Sequence, residues 1–545
     1  MGPEHAARRQ LEDVIFPFWL ANGIDEVNGG YYTCFDNRGR TRLSTDKYTW
    51  SQGRFVWLLA RAARLAERGL LALDPAELLS HAERGARFLV DHAVRPGGTC
   101  AYLLEETGTE KPSERSIYAD CFVAMGLSEL SRQTGSAEWL DVVDPILTRV
   151  TDDITNGDPP TPPYPLPPGH SGFGARMILL NARLDQVRAH ESLTPQHPRE
   201  APQPEGQAPV RSGRAALPSG PAPLPEGQAA ERSGQAGASA GGAASHSGPA
   251  QDRSGRVAPP FGHAPQAAER SGRAEASAEG VAERSVEAAT SDGRAPLPGG
   301  RGLGRSGGSA LPGGPAGEGL GQVGALDGRG VVGAGEGGSG VGGLGLRGEL
   351  ADALRGVLAH REETGLFAEV LVGDPGQRDT VLARHRNPGH ALEGAWMMLE
   401  AGELLGDHRA DGQVLDSISK LCATGWDVER GGLLRYTDVT GRRGGGPYEE
   451  LIVRTWTTKL WWVHTEAAYS TRLAAVKYGD KSAERWFREV WGYTLDTFPG
   501  RDDGAEWVQI RDRDGRPLDE VVALPVKDPY HIARNLMQIV ELGEG

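Results

Sequence analysis

The sequence has few cysteines, few aromatic residues and no long apolar run. Its four cysteines are spread over 545 residues, and none belongs to a CxxC or Cys/His pattern. This spacing favours free thiols in a reducing cytosol over a disulfide framework or a zinc site. No apolar segment reaches membrane-span length, and the first residues lack the apolar core of a signal peptide. We therefore expect a cytoplasmic protein with no membrane partner.

An excess of positive charge is also missing. The formal net charge is -15 at pH 7. Nucleic acids and acidic membrane surfaces attract basic patches, so a chain of this charge is a poor partner for either. The composition instead favours an enzyme or binding protein for a small molecule.

Hydrophobic residues make up only 38% of the chain, because 77 glycines and 37 prolines are concentrated in one internal region. Between residues 190 and 346, Phe261 is the single aromatic residue, and no apolar period is sustained. Such a segment cannot bury enough apolar area to offset its ordering entropy. We predict a disordered insertion at 190–346 that divides one catalytic domain into an N-terminal half, 1–189, and a C-terminal half, 347–545.

Helical periodicity dominates the rest of the chain and predicts about twelve helices. Their approximate ranges are 8–21, 50–68, 75–93, 115–134, 137–156, 172–188, 347–361, 388–405, 410–424, 456–478, 482–498 and 529–543. Six pairs of helices fit an all-α (α/α)6 barrel, in which inner helices converge on a central pit. An open superhelix of helix pairs is the alternative fold.

A glycine-rich phrase recurs in the connections between helices. It occupies residues 23–39 and 425–441, with a weaker copy at 504–515. Each copy is predicted to form a short strand or hairpin closed by an Asp-x-x-Gly turn. Its recurrence indicates that the barrel is built from equivalent units.

The stretch from Arg386 to Trp396 predicts a helix start. Asn387 is a good N-cap and Pro388 suits the first helical position. His390 then falls at the third helical position, with Glu393 one turn on along the same face. The positive end of the helix dipole disfavours a protonated imidazole, so we expect a neutral histidine able to act as a base. A histidine simply packed at a helix start is the alternative.

A second copy of this pattern opens the last helix. Asp528 and Pro529 precede His531 as Asn387 and Pro388 precede His390. General acid–base chemistry on one carbon often uses two proton carriers, one on each side of the substrate. The two histidines are therefore predicted to act as a pair.

Further polar residues stand among aromatics at helical spacing. Arg54 lies one turn from Trp50, and Glu466 lies one turn from Trp462. A tryptophan offers a sugar a stacking face, and an arginine steadies an oxyanion. A glutamate at an apolar helix centre is costly unless it is paired or functional. A surface arginine beside core tryptophans is the alternative for Arg54.

Two more side chains are candidate hydroxyl-binding contacts. Tyr118 and Asn181 fall on predicted inner helices. Ordinary core packing explains each of them equally well.

Together, the matching stretches resemble the N-acylglucosamine 2-epimerase family. They are Lys47–Trp57, Ser116–Gly135, Met177–Asn181, Asn387–Trp396, Gly425–Leu433, Lys459–Ala467 and Tyr530–Arg534. The resemblance implies an (α/α)6 barrel that interconverts N-acetylglucosamine and N-acetylmannosamine. It implies His390 and His531 as catalytic histidines, Arg54 and Glu466 as essential polar residues, and Glu393 as a supporting carboxylate.

The resemblance also implies properties that the residues themselves do not show. Members form homodimers, and the N-acyl branch is activated by a nucleotide such as ATP that is not consumed. No metal or redox cofactor is required for the chemistry. Relatives acting on cellobiose or mannose tend to carry a histidine where Asn181 stands, which favours an amino sugar as substrate. The long insertion and Val463, where relatives often have proline, depart from the family pattern.

Three other functions fit parts of the sequence. An aldose–ketose isomerase or an epimerase of unsubstituted sugars would use the same barrel. A glycoside hydrolase on this fold needs two carboxylates flanking the bond, whereas the matched pair here is histidines. A non-catalytic sugar-binding or protein-binding module would not require two proton carriers.

Overall fold

The computed structural model describes residues 2–157, 159–194, 341–500, 506–521 and 524–544, with backbone only for 341–344. By Cα proximity the chain divides into one unit of residues 1–203 and 333–545 and a second of residues 204–332. All described residues belong to the first unit. None of the described helices is both long and apolar enough to cross a bilayer.

Helices account for most of the described chain. The α-helices are α1 (Pro3–Gln10), α2 (Phe16–Asn22), α3 (Thr49–Glu67), α4 (Pro75–His92), α5 (Ile117–Thr134), α6 (Leu140–Thr155), α7 (Phe173–Leu193), α8 (Val341–Leu358), α9 (Val381–Arg384), α10 (Pro388–Leu405), α11 (Asp411–Gly425), α12 (Pro447–Thr455), α13 (Trp461–Tyr478), α14 (Lys481–Thr497) and α15 (Tyr530–Leu542).

The strands are short and pair only in twos. They are β1 (Lys47–Tyr48), β2 (Val94–Arg95), β3 (Thr99–Cys100), β4 (Leu103–Leu104), β5 (His170–Gly172), β6 (Val370–Val372), β7 (Lys459–Leu460) and β8 (Ile510–Arg511). The antiparallel pairs are β1–β4, β2–β3, β5–β6 and β7–β8. Strands of this length contribute little stability by themselves, so the helices carry the fold.

Six helices form a ring. Helix α3 packs on α5, α5 on α7, α7 on α10, α10 on α13, α13 on α15, and α15 returns to α3. Each inner helix also packs against an outer one: α4, α6, α8, α11, α14 and α1 respectively. This arrangement is the predicted (α/α)6 barrel. The sixth pair joins the two ends of the chain, because α1 covers α15.

Several predicted boundaries differ from the structure. The helix expected at 456–478 is α13, which begins later, at Trp461, because β7 occupies Lys459–Leu460; the preceding helix α12 was not predicted. The repeated phrases at 23–39 and 425–441 form turns held by isolated bridges, Ile24 to Tyr31 and Trp426 to Leu433, rather than regular strands. Glycines with positive φ interrupt both phrases, at Gly30 and Gly432 among others, and this backbone cannot continue a strand.

The predicted insertion is bordered by two helices that pack together. Helix α7 continues to Leu193 and α8 begins at Val341, so both helices extend into the range 190–346. Arg347 Nε lies 2.7 Å from Glu191 Oε1 and ties the two borders together. Residues 195–340 lie outside the described residues, so their predicted disorder and the proposed domain division stay predictions.

Candidate active site

A cavity opens at the N-terminal ends of the six inner helices. Its empty volume, including the open mouth, is about 1050 Å³. Eight of the nine residues predicted from sequence contribute to it. Lining side chains among them are Trp50, Arg54, Tyr118, His390, Glu393, Trp462 and His531, while Glu466 lies directly behind His531.

His390 is held by a buried glutamate that sequence reasoning missed. Its Nδ1 lies 2.8 Å from Glu369 Oε1, and Asn387 caps the helix by accepting from the His390 backbone N–H at 3.2 Å, as predicted. Burial by itself would lower the pKa of His390, but the charge and hydrogen bond of Glu369 outweigh burial and raise it. The pKa of His390 is thus shifted upward, opposite in direction to the helix-dipole effect from which a neutral base was expected.

His531 has the same kind of partner as His390, but its pKa is shifted in the opposite direction. Its Nδ1 lies 2.7 Å from Glu466 Oε1, and its Nε2 lies 3.2 Å from Arg54 Nη2. A guanidinium can only donate, so Nε2 accepts and Nδ1 carries the proton that bonds Glu466. Burial lowers the pKa of His531, and Arg54 adds to this against the opposing carboxylates. Of the two histidines, His531 is thus the one whose pKa shift favours the neutral form that can act as a base.

The helix register of His531 also differs from the prediction. Helix α15 begins at Tyr530, which places Pro529 at the N-cap and His531 at the second helical position. Asp528 Oδ1 accepts from the Tyr530 backbone N–H at 2.7 Å and satisfies one free donor of the helix start. The two proline-led histidines therefore differ by one position along their helices.

Arg54 is fixed from several sides. Its Nη1 lies 3.2 Å from Asp528 Oδ2, and its Cζ lies 4.1 Å from the ring centre of Phe122 and 4.9 Å from that of Tyr530. Contacts between a guanidinium and aromatic faces favour the charged form in a site with little water. Arg54 is thus a preorganised cation beside His531 Nε2.

Below the histidines lies a network of buried charges. Arg534 Nη2 lies 2.6 Å from Glu393 Oε1 and 2.5 Å from Glu466 Oε1. Asn535 Nδ2 and Trp396 Nε1 donate to the two oxygens of Glu466 at 2.7 and 2.8 Å. With its lone pairs so occupied, the pKa of Glu466 is lowered despite burial. The sequence predicted a functional Glu466 but not Arg534.

The same carboxylates could be mistaken for a metal site. Glu393, Glu466 and His531 present possible ligand atoms within 4.8 Å of one another. Arg534 lies against both carboxylates, however, and supplies the positive charge that a metal ion would bring. A buried ion-pair network explains this donor set.

Aromatic rings complete the cavity. The ring of Trp462 lies between the two histidines, with centroids 5.1 Å from His390 and 5.7 Å from His531. Trp50 packs against Tyr118 at 5.1 Å on the opposite side. The walls therefore offer flat apolar faces of the kind on which sugar rings stack.

Asn181 does not line this cavity, and its prediction as a substrate contact is wrong. It lines a separate cavity at the C-terminal ends of the same helices, together with Arg61, Arg188 and Gln538. Met177 and Ile178, three to four residues earlier on α7, face the active-site cavity instead. Asn181 is about one turn too deep in the barrel to reach the histidines.

Further polar residues of the cavity have no local motif. Arg435 and Tyr436 line it from the segment between α11 and α12, and Tyr448 lines it from the start of α12. Glu369 precedes β6, and its position 21 residues before His390 gave no periodic signal. The sequence offers one hint of its role: Glu369 is a lone glutamate directly before the apolar segment Val370–Val372.

Comparison with known proteins identifies the family. The family model described as N-acylglucosamine 2-epimerase (GlcNAc 2-epimerase) matches residues 30–189 and 363–534. The chain belongs to this family. Its reaction class is accordingly that of an isomerase, a sugar 2-epimerase.

Curated relatives match over nearly the whole chain. N-acylglucosamine 2-epimerase of Bos taurus is 24% identical and covers 98% of this chain and 89% of its own length. The Homo sapiens protein is also 24% identical, over 97% and 88%. Cellobiose 2-epimerase of Bacteroides fragilis is 30% identical, but over only 24% of this chain.

Solved structures share the fold. Cellobiose 2-epimerase from Bacillus thermoamylovorans superimposes with a TM-score of 0.59 at 15% identity, covering 99% of this chain and 98% of its own. A D-mannose isomerase gives a TM-score of 0.55 at 13% identity, over 99% and 97%. At these identities the likeness concerns the barrel alone.

Proposed function

We propose that this protein interconverts N-acetyl-D-glucosamine and N-acetyl-D-mannosamine by moving a proton at C2 of the open-chain sugar. The observation that carries the proposal is the pair of histidines in one cavity, each bound through Nδ1 to its own buried carboxylate. With both Nδ1 atoms bound to carboxylates, proton transfer falls to the Nε2 atoms, and that of His531 becomes available once the substrate replaces it as the partner of Arg54. The N-acyl substrate is supported by relatives that match nearly all of the chain.

The reaction needs a base, an acid and an oxyanion stabiliser. C2 lies next to the aldehyde carbonyl of the open chain, so loss of its proton gives an enediolate-like anion. One histidine takes the proton from one face, the other delivers a proton to the opposite face, and C2 is inverted. Each positioned acid or base contributes about 10²–10⁴-fold to such a step.

The opposite pKa shifts suggest which histidine starts as the base and which as the acid. His531, with a lowered pKa and an Nε2 lone pair, serves as the base for the epimer whose C2 proton faces it. His390, with a raised pKa, serves as the acid on the other face. The reverse reaction begins from the opposite pair of protonation states.

Arg54 is placed to bind the developing negative charge. It lies beside His531 Nε2 at 3.2 Å and is held there by Asp528. A single well-placed donor to an oxyanion is worth roughly 3–4 kcal/mol. Glu466 orients His531, and Glu393 acts through Arg534, so these two carboxylates position the reacting groups.

Product analysis tests the proposal. Incubation with N-acetylmannosamine should give N-acetylglucosamine, with solvent deuterium entering at C2 when the reaction is run in D₂O. Mannose and cellobiose should be epimerised or isomerised far more slowly. Faster conversion of either unsubstituted sugar, or fructose formed from mannose, would instead establish the alternative activity.

Three further properties complete the proposal. The four cysteines are buried free thiols, which suits a reducing cytoplasm. The family resemblance supports a homodimer and a non-consumed nucleotide activator such as ATP, with no cofactor in the chemistry. Light scattering during size-exclusion chromatography measures the oligomer, and the same assay with and without ATP measures the nucleotide response.

A further inference from the structure

A second pocket opens directly beside His390. It encloses about 1060 Å³ of empty volume, including its open mouth, and shares several lining residues with the active-site cavity. The shared residues are Tyr118, Tyr164, Gly174, His390 and Tyr448. A substrate held at the histidines can therefore extend into this side pocket.

The side pocket has both apolar and polar walls. Ile154, Leu166 and Val370 line it with prolines of the connection between α6 and β5, and Arg176 and Glu369 add polar groups. Strand β5 closes the wall by pairing with β6, with Gly172 opposite Val370. Prolines lose little further freedom on folding, so this wall is stiff. A pocket with both kinds of group suits an acylamino substituent, which carries an amide and a short alkyl chain.

Gly174 marks the passage between the two cavities. It is buried at the start of α7 and lines both of them. A Cβ at this position would lie 3.0 Å from Tyr118 Oη and 3.9 Å from His390 Cε1. The absence of a side chain therefore keeps open the space between His390 and Tyr118.

The substituents on C2 decide what enters this passage. The two histidines take the opposite faces of C2, so its nitrogen, C1 and C3 lie in the plane between them. C1 carries the oxygen that needs Arg54, and the hydroxyls from C3 onward suit the polar wall of Arg435, Tyr436 and Tyr448. The N-acyl group is left for the side pocket.

We propose that the side pocket is the subsite for the N-acyl group and that Gly174 and Tyr118 set the length of acyl chain it admits. The inference rests on the proposed function. It goes further in assigning acyl-chain length to particular residues and in extending the substrate class to N-acyl groups longer than acetyl.

The test compares kcat/KM for N-acetyl-, N-propanoyl- and N-butanoylmannosamine. The wild-type protein should convert all three with values within about tenfold of one another, since an open pocket with partly apolar walls rejects an added methylene only weakly. Gly174→Ala should lower the ratio of N-butanoyl to N-acetyl kcat/KM by about tenfold or more, the lower end of what one methylene is worth in a fitted pocket.

A second variant separates obstruction of the passage from damage to the fold. In Gly174→Ala/Tyr118→Phe the atom at 3.0 Å is gone, and the nearest remaining neighbours lie at 3.9 Å. The double variant should recover most of the wild-type ratio. Gly492→Ala makes the same change inside α14, where nothing lies within 4 Å of the added carbon, and should leave the ratio unchanged.

Two results overturn the proposal while leaving the proposed function intact. One is a Gly174→Ala variant that lowers all three substrates equally. The other is a wild-type protein that converts N-acetylmannosamine but not the N-butanoyl sugar. Failure to convert any N-acylmannosamine, with turnover of an unsubstituted sugar, would overturn the proposed function and the acyl subsite with it.

Discussion

The two histidine–carboxylate pairs are built alike but differ in the charges around them. Glu369 has His390 as its near partner, whereas Glu466 is also bound by Arg534 and Asn535. Glu466 is thus already neutralised, and Arg54 lies on the other side of His531. The same residue types therefore give one histidine with a raised pKa and one with a lowered pKa.

Replacing Glu369 should change the pH dependence more than the fold. Glu369→Gln keeps a hydrogen-bond acceptor for His390 but removes the charge that raises its pKa. For the epimer that needs protonated His390, the basic limb of kcat/KM should move to lower pH. Each unit of lost pKa lowers activity above that limb about tenfold.

The matched control is Glu363→Gln, an exposed glutamate in the same connection between α8 and β6. Its pH profile should overlie that of the wild type. A Glu369→Gln profile whose basic limb stays in place would mean that Glu369 does not hold the proton on His390.

Proton-exchange experiments should distinguish the roles of His390 and His531. His390→Asn and His531→Asn should each nearly abolish epimerisation, because inversion needs both faces. Each variant retains one base, which can exchange the C2 proton of the epimer that it faces. Incubation with each epimer separately in D₂O, read by mass spectrometry, should show deuterium entering opposite epimers in the two variants. Exchange of the same epimer by both variants would contradict a two-face mechanism.

At the scale of elements, a buried lysine precedes three of the inner helices. Lys47 stands before α3, Lys459 before α13 and Lys527 before α15. Each pairs with an acid from the preceding turn: Asp25 at 2.8 Å, Asp427 at 3.4 Å and Glu506 at 2.5 Å respectively. The repeated glycine-rich phrases thus hold the starts of helices that carry Arg54, Glu466 and His531.

Breaking one such pair should destabilise the barrel. Lys47→Met leaves Asp25 buried without its cation, a change that costs about 3–5 kcal/mol in comparable pairs. Denaturant unfolding measures the loss, and Arg409→Met at an exposed pair should change stability by no more than about 0.5 kcal/mol. An equally small effect at Lys47 would show that the turn is held by its backbone alone.

The pH dependence of this pair follows from Asp25. Burial opposes ionisation, but hydrogen bonds from Asn28 and Lys47 lower the pKa of Asp25 from 3.8 to about 2. A lowered carboxyl pKa contributes stability above the unfolded value and loses it as the pH falls toward the folded value. The stability difference between wild type and Lys47→Met should therefore persist at neutral pH and shrink between about pH 4 and pH 2.

At the scale of the whole molecule, deletion of residues 195–340 tests whether the two halves of the chain form one catalytic domain without this segment. Deleting 195–340 and joining the ends with a short Gly/Ser linker should leave melting temperature and specific activity close to wild type. The borders are already held by Arg347–Glu191 and by Arg183–Glu349 at 2.6 Å, and closure cost depends only weakly on loop length. A large fall in melting temperature would show that the segment packs on the barrel.

The sequence by itself determined the barrel and indicated most residues of the candidate active site. Helical periodicity marked the six inner helices, and local motifs marked His390, His531, Arg54 and Glu466. These features are local, since capping, apolar period and one-turn spacing are written within a dozen residues. The family resemblance implies that these residues belong to one catalytic site.

Only the tertiary structure decided which groups meet and in what charge state. Glu369 reaches His390 from another connection, and Arg534 joins two carboxylates from different helices, so neither contact has a spacing that sequence can show. Asn181 failed for the converse reason: its residue type suited a sugar, but its depth along α7 placed it in the opposite cavity. The depth of a side chain in the barrel and its contacts with residues distant in sequence depend on how the helices pack. Packing also sets the burial of each histidine and the charges around it, and these determine its pKa.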